Sequence, residues 1–355
     1  ARGDVTTAGL GSIDHPLLGA VAKLADGETT VLTGRLSLSS QGWLADHAVA
    51  GTVILPGAAF VELAVRAGDE AGLAVLDELV LHAPLVLSQG RGVQVQVTVS
   101  AAEGDGRRPV TVHSRPEDGE EVWTLHGEGF LGGVVVAGEG LEVWPPAGAV
   151  PVAVEGVYER LAGLGLEYGP VFRGLGAAWR RGDDLFAEVG LPVEEHGSGF
   201  TLHPALLDAC LHLAAVEGEG VRLPFAWSGV AVHASGATAA RVHLAVRGDG
   251  LSLRVADGAG APVATVGSLS VRPLDPAQLA AGRPSDVHHV RWTALPAPAV
   301  GAASAAGPVL FAVGGGGQGP LAGRVRAVAG EVLAALQAHL RDERSQDARL
   351  VVVTR

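Results

Sequence analysis

The chain has 355 residues, of which 48% are hydrophobic, and its formal net charge is −13. That length predicts about two domains, and the acidic balance argues against a general nucleic-acid-binding protein, which would present a basic face. No apolar run reaches the ~20 residues of a membrane helix, and no secretory leader is visible, so we expect a cytoplasmic protein without membrane spans. The only cysteine, Cys210, excludes disulfide frameworks and multi-thiolate metal sites.

The first part of the chain, residues 1–137, predicts strands around one long helix. The apolar positions of residues 58–71 have the spacing of a helix that buries one face. Strand patterns, including valines that alternate with polar residues, surround it at residues 30–39, 93–100, 110–114 and 122–131. We therefore expect an antiparallel sheet wrapped around one helix.

A histidine precedes that helix in an apolar loop, with the spacing His47-x-x-x-Gly51-x-x-x-x-Pro56. Pro56 suits the first position of a helix, where its missing N–H would be unpaired anyway. The N–H of Gly57 would then lie at the positive end of the helix. A lone histidine in an apolar loop is more often structural than catalytic, so this pattern alone leaves both interpretations open.

The second part of the chain repeats this order of elements. Residues 138–152 are rich in glycine and proline and predict a linker. Residues 153–276 predict a second sheet around a helix, with that helix at 204–215 opened by Pro204. A shorter helix is expected at 154–161.

Asp208 lies among leucines in the predicted helix 204–215, with His212 four residues on and hence on the same face. The carboxylate can simply favour the positive end of the helix. Alternatively, burial would raise its pKa and hold it protonated at neutral pH, as a general acid requires, with His212 orienting it.

Two further segments stand out. Tyr168 and Phe172 bracket the turn Gly169-Pro170, which ordinary turn packing would also explain. Residues 223–227, Leu-Pro-Phe-Ala-Trp, have the simplest interpretation as a buried edge strand.

Taken together, these segments resemble the dehydratase domains of modular type I polyketide synthases, from about residue 11 to residue 276. The resemblance implies a double hot dog fold in the α+β class and a homodimer. It also implies a catalytic dyad of His47 and Asp208. The motifs that carry it, in chain order, are His15-Pro16-Leu17-Leu18-Gly19, His47/Gly51/Pro56, Tyr168-Gly169-Pro170-x-Phe172, Asp208-Ala209-Cys210-Leu211-His212 and Leu223-Pro224-Phe225-x-Trp227.

The same resemblance implies a 3-hydroxyacyl substrate carried on the phosphopantetheine of an acyl carrier protein. We expect neutral His47 to remove the α-proton and protonated Asp208 to donate to the departing β-hydroxyl. Tyr168 and His212 would orient the reacting groups, and the Gly57 N–H would bind the thioester oxygen. No cofactor is expected in this domain, because the departing proton and hydroxyl go to the enzyme's own base and acid, and scattered histidines give no metal-ligand spacing.

Two rival functions use the same fold. A double-bond-shifting isomerase would keep the histidine and dispense with the acid, so the presence of Asp208 argues against it. A non-catalytic acyl-binding or scaffolding module would need neither residue. Neighbouring synthase domains are also expected as partners.

Residues 277–355 predict a linker and then a β-α-β fragment, which resembles the start of the structural subdomain of a ketoreductase. The run Gly314-Gly315-Gly316-Gly317-Gln318-Gly319 matches a dinucleotide-binding fingerprint, but a run of glycines does so trivially. We therefore expect no nucleotide there. The apolar end of the chain, at residues 350–354, led us to expect a piece of a larger polypeptide.

Overall fold

The computed structural model describes residues 5–118, 122–133, 138–192, 199–217, 222–247, 250–273, 309–312, 321–341 and 350–353. The chain divides into two compact units, Ala1–Asp286 and Val287–Arg355. The first unit is built on antiparallel strands with few helices, as predicted, and it carries every candidate catalytic residue.

One long helix forms the centre of the first half of this unit. It is α1, Gly57–Ala71, and its buried face includes Phe60, Leu63 and Ala64. Apolar burial of this kind contributes about 1.5–3 kcal/mol for each large side chain. The strands of this half are β1 Gly11–Ser12, β2 Ala20–Lys23, β3 Thr30–Leu36, β4 His47–Val49, β5 Thr52–Val53, β6 Val75–Leu81, β7 Val93–Val99, β8 Arg108–Pro116 and β9 Thr124–Gly132.

In its described residues, the second half contains three short α-helices instead of one long one. They are α2 Val157–Gly163, α3 Pro204–Ala209 and α4 His212–Glu217. The strands of this half are β10 Val150–Val152, β11 Leu166–Tyr168, β12 Leu175–Arg181, β13 Asp184–Gly190, β14 Arg222–Val232, β15 Ala239–Arg247, β16 Gly250–Ala256 and β17 Pro262–Pro273.

The two halves share one fourteen-stranded sheet, in the order β1-β2-β3-β7-β8-β9-β6-β14-β17-β16-β15-β13-β12-β10. Each half contributes seven strands in an unbroken block, and the junction is the antiparallel pair β6–β14, where Trp227 lies opposite Leu79. α1 packs against β3 and against β6 to β9, whereas α3 and α4 pack against β13. The predicted pair of wrapped sheets is thus present, joined edge to edge.

Two predicted segments differ in detail from the structure. Residues 138–152 include the strand β10, which pairs with β12. Residues 223–227 lie in the interior of the sheet and not at an edge, because β14 pairs with both β6 and β17. Pro224 cannot donate to a ladder and lies where the pairing of β14 with β17 shifts register.

The second unit contains a parallel pair of strands, β18 Val309–Ala312 and β19 Leu350–Val353, and a helix, α5 Leu321–Arg341. These elements form the predicted β-α-β order. The glycine run at residues 314–319 lies outside the described residues.

Candidate active site

A tight hairpin positions His47. Strands β4 and β5 are joined by Ala50 and Gly51, whose φ angles are +48° and +71°. Two residues with positive φ make the turn that matches the natural twist of a hairpin, and glycine adopts such angles without strain. Gly51 thus allows the chain to reverse direction, and the hairpin places the Ile54 carbonyl 3.0 Å from Nδ1 of His47.

That contact fixes the proton on the imidazole of His47. A carbonyl oxygen only accepts hydrogen bonds, so Nδ1 of His47 carries the hydrogen and Nε2 keeps its lone pair. The side chain is buried, and burial lowers its pKa below the ordinary value, against the opposing effects of the Asp208 charge and the Ile54 carbonyl. His47 is therefore a neutral base at neutral pH, with Nε2 as the basic atom.

The second half of the unit adds a strand beside this hairpin. In the three-stranded sheet β11-β4-β5, Tyr168 lies directly opposite His47, and the two ring centroids are 5.7 Å apart. Asp46 stabilises the turn that follows Tyr168. Its carboxylate accepts the N–H of Val171 at 2.9 Å, and its backbone carbonyl accepts the N–H of Gly169 at 2.7 Å. A Cβ on Gly169 would lie 2.3 Å from the Asp46 carboxyl carbon, so this close approach requires glycine.

Asp208 is held by His212 across a break between two helices. The single helix predicted over residues 204–215 is wrong, because Leu211 N–H bonds the Asp208 carbonyl at three-residue spacing, which tightens the turn between α3 and α4. The predicted partnership nevertheless forms, since Nε2 of His212 lies 3.0 Å from Oδ2 of Asp208. Both side chains are buried.

The ionisation of Asp208 differs from the prediction. Burial raises its pKa, as expected, but the hydrogen bond with His212 and the charges that His47 and His212 carry when protonated lower it, and the balance lies below the ordinary value. The predicted rise of this pKa is therefore wrong, because the effects of the two neighbouring imidazoles outweigh the effect of burial. In the free site Asp208 is a carboxylate at neutral pH.

The predicted residues come together through aromatic contacts. The Tyr168 ring lies 4.2 Å from that of His212, which bonds Asp208, and Phe172 lies 5.1 Å from His47. Burial and the negative charge of Asp208 raise the pKa of Tyr168 well above its ordinary value, so its hydroxyl keeps its proton. The Tyr168 ring thus contacts both His47 and the imidazole that bonds Asp208.

The N-terminus of α1 lies between the two halves. The prediction that Pro56 occupies the first helical position is wrong, because Pro56 precedes the helix as its N-cap residue, and its carbonyl accepts the N–H of Ala59. Gly57 is thus the first residue of α1, and its N–H has no acceptor within the helix. A Cβ on Gly57 would lie 3.0 Å from Cβ of Pro224, so glycine permits the close contact with the second half.

Sequence reasoning missed three residues that support this arrangement. Asp46 adjoins His47 but gave no signal of its own. Tyr158 lies on α2, and its hydroxyl is 3.4 Å from Nδ1 of His212. Since only two tyrosines occur in the chain, their scarcity was a usable signal. Glu62 could have been noticed as an acidic residue between Val61 and Leu63 on the apolar face of α1.

Glu62 connects the central helix to the segment before Asp208. Its buried carboxylate accepts the N–H of Thr201 at 2.7 Å and that of Leu202 at 2.9 Å, and it lies 3.1 Å from Nε2 of His15. His15 is also fully buried, and its Nδ1 accepts two backbone N–H groups. This network gives His15 a structural role, because it links His15 to α1 and to the segment before Asp208.

Within the described residues, no group of three or more His, Cys, Asp and Glu side chains is arranged to hold a metal ion. No helix in the described part of the chain is long and apolar enough to cross a membrane.

Family models agree with this architecture. One for the polyketide synthase dehydratase domain matches residues 15–115, and one described as the polyketide synthase dehydratase N-terminal domain matches residues 136–281. A third, for the Rossmann fold domain of the polyketide synthase extender module SpnB, matches residues 227–355.

Curated relatives are very long proteins. The chain is 45% identical to polyketide synthase GfsA of Streptomyces halstedii over 99% of its own length, which is 5% of that protein. It is 49% identical to the pikromycin polyketide synthase component PikAII of Streptomyces venezuelae over 94% of its length, which is 9% of that protein. The chain thus corresponds to a small part of each relative.

Solved structures of dehydratases match about three quarters of the chain. A dehydratase studied for substrate selection in the borrelidin and fluvirucin polyketide synthases is 50% identical, with a TM-score of 0.74 over 77% of this chain and 100% of that one. The erythromycin dehydratase is 43% identical, with a TM-score of 0.71 over 76% of this chain and 100% of that one.

Proposed function

The chain belongs to the dehydratase domains of polyketide synthases, and we propose that His47 and Asp208 carry out its reaction on a 3-hydroxyacyl thioester. The family and its solved members act by dehydration during polyketide chain elongation, which makes this chain a hydro-lyase. The observation that carries the assignment of residues is the fixed proton on Nδ1 of His47, which leaves Nε2 as a base beside the His212–Asp208 pair.

The first step is removal of the α-proton. The thioester carbonyl acidifies this proton, and Nε2 of His47 accepts it because the lowered pKa keeps His47 neutral beforehand. Enolate charge then develops on the thioester oxygen. We propose that the N–H of Gly57, at the positive end of α1, donates to this oxygen, since that N–H has no acceptor within its helix.

The second step is loss of the β-hydroxyl. Asp208 donates a proton to the departing oxygen, the Cβ–O bond breaks, and water and the α,β-enoyl thioester form. Since Asp208 is ionised in the free site, it must take up a proton before or as the substrate binds. An acyl chain that displaces water from this buried carboxyl would raise its pKa and favour that uptake. The Tyr168 hydroxyl, which keeps its proton, would donate a hydrogen bond to the same oxygen.

The substrate is proposed to be carried on the phosphopantetheine of an acyl carrier protein, with no cofactor in this domain. The relatives are multidomain synthases, which supports neighbouring synthase domains as partners. The carrier protein, a homodimeric assembly and a cytoplasmic location are part of the same proposal.

One assay tests the reaction. The protein is incubated with a 3-hydroxyacyl pantetheine thioester, and separately with the matching α,β-enoyl thioester, and the products are followed by mass spectrometry and by ultraviolet absorbance of the conjugated enoyl group. Loss of water from the hydroxyacyl thioester supports the proposal. Migration of the double bond without dehydration would indicate the isomerase, and binding without turnover would indicate the scaffold.

Variants connect the assay to the residues. We expect His47→Ala and Asp208→Asn each to lower the dehydration rate by about 100-fold or more, the usual contribution of general acid–base catalysis. Unchanged turnover in either variant would contradict the assignment of that residue.

A further inference from the structure

A chain of hydrogen bonds leads from Tyr158 through His212 to Asp208. Tyr158 contacts one ring nitrogen of His212, and Asp208 contacts the other. Tyr158 on α2 is partly buried, and its hydroxyl oxygen accepts the N–H of Leu175 at 2.8 Å. The same oxygen lies 3.4 Å from Nδ1 of His212, and Nε2 of His212 lies 3.0 Å from Asp208. Tyr158 thus contacts the imidazole that holds the catalytic carboxyl, without contacting that carboxyl itself.

When the His212 imidazole is neutral and Asp208 is ionised, these hydrogen bonds can run in only one direction, from Leu175 towards Asp208. A backbone N–H can only donate, so the Tyr158 oxygen accepts from Leu175 and its single hydrogen is free to point at His212. Nδ1 of His212 then accepts, which puts the ring hydrogen on Nε2, where it is donated to the Asp208 carboxylate. In the opposite tautomer, the Nε2 lone pair would face the carboxylate and repel it.

From this geometry we infer that Tyr158 is a positioning residue, which keeps His212 in the tautomer that donates to Asp208. The inference rests on the proposed function, since Asp208 is the proton donor there. Burial raises the pKa of Tyr158 to about 12, so its hydroxyl keeps the hydrogen that it donates to Nδ1 of His212. The ring also packs edge-on against His212, with centroids 5.6 Å apart, which restrains the imidazole plane.

The test substitutes only the hydroxyl, with Tyr158→Phe, so that the ring contacts with His212 and Tyr168 are kept. We expect kcat to fall by roughly 10-fold with little change in KM, as is typical when a residue that orients a catalytic group is lost. The hydroxyl could also act only structurally, by accepting the N–H of Leu175, and its loss would then lower activity as well. The same substitution is therefore also made in a protein that carries a second substitution.

His212→Gln is that second substitution, and it provides a second background. A glutamine amide always presents N–H hydrogens and has no tautomers, so its donation to Asp208 does not depend on Tyr158. We expect Tyr158→Phe to lower kcat by less than about 2-fold in the His212→Gln protein. An equal loss in both backgrounds, or no loss in either, would overturn the inference.

A measurement without substrate separates this inference from the proposed function. Nitrogen-15 spectra of protein labelled at histidine report which ring nitrogen carries hydrogen, and the His212 signals are identified by their absence in His212→Gln. We expect hydrogen on Nε2 in the wild-type protein and a mixture of tautomers in Tyr158→Phe. Identical His212 signals in the two proteins would overturn the inference, whatever the dehydration assay gives.

Discussion

Nε2 of His212 lies 3.0 Å from Oδ2 of Asp208, although the two residues belong to different short helices. The three-residue spacing of the Leu211–Asp208 backbone bond replaces a regular helical turn between them. This contact also explains why the carboxyl is ionised in the free site, since a hydrogen bond to the charged form favours that form. The protonation state of Asp208, the proposed proton donor, therefore depends on its neighbour His212 as much as on its burial.

The first prediction concerns the donor at position 212. His212→Gln keeps an N–H that reaches Asp208, whereas His212→Leu keeps the bulk and removes the donor. We expect the glutamine variant to retain activity within roughly 10-fold of the wild type and the leucine variant to lose clearly more. Steady-state rates on one hydroxyacyl thioester measure this, and equal losses in the two variants would show that only the bulk of His212 matters.

The second prediction is a pH dependence. The proposed mechanism needs one proton on the pair His47 and Asp208, located on Asp208, with His47 neutral. Because the pKa of His47 lies below its ordinary value of 6.5, and that of Asp208 below 3.8, the free pair has lost its proton at neutral pH. We therefore expect kcat/KM, measured between about pH 4 and pH 9, to begin to decline at a pH below 6.5 and to fall further as the pH rises.

The alkaline decline of kcat should lie at higher pH than that of kcat/KM. The reason is that kcat reports the substrate complex, in which displaced water raises the pKa of Asp208. Coincident declines would contradict proton uptake on substrate binding. Calorimetry of an unreactive thioester analogue in two buffers of different ionisation enthalpy measures the same proton directly.

Much of the fold could be predicted from local patterns. The valine alternation of β7 and the apolar spacing of α1 each depend on a few neighbouring residues, and the structure has both. The edge-to-edge junction of β6 and β14 could not be predicted, because strand partners far apart in sequence leave no local trace. The break between α3 and α4 was missed since Cys210 and Leu211 both suit a helix.

For the site, the motifs identified His47, Tyr168, Asp208 and His212, and the structure brings all four together. The spacing gave no information on protonation, because the Ile54 carbonyl that fixes the proton of His47 carries no side-chain signature. Tyr158 and Glu62 act through contacts between distant segments. Their roles became visible only when those segments were placed side by side.

The third prediction tests the turn beside His47. Gly169→Ala would place a Cβ 2.3 Å from the Asp46 carboxyl carbon and force apart the turn that holds Tyr168 opposite His47. We expect the dehydration rate to fall by about 100-fold, since displacements of about 1 Å in a catalytic site have effects of this size. Gly163→Ala is the matched control, because a Cβ there meets nothing within 4 Å, and its rate should be unchanged.

The fourth prediction concerns stability. Glu62→Ala leaves the N–H groups of Thr201 and Leu202 without their acceptor, in a buried setting. We expect the free energy of unfolding to fall by about 3 kcal/mol, measured by urea denaturation with tryptophan fluorescence. Glu70→Gln on the same helix removes only an ion pair with Arg66 that is partly exposed, and should cost less than about 1 kcal/mol. Equal effects would contradict the structural role of Glu62.

The central claim is that the base and the acid are separate residues, His47 and Asp208. The most direct measurement is deuterium uptake at the α-carbon of a 3-hydroxyacyl thioester in heavy water, followed together with water loss for the two variants. We expect Asp208→Asn still to exchange the α-proton while its dehydration is nearly abolished, and His47→Ala to do neither. Exchange in His47→Ala as fast as in Asp208→Asn would contradict it.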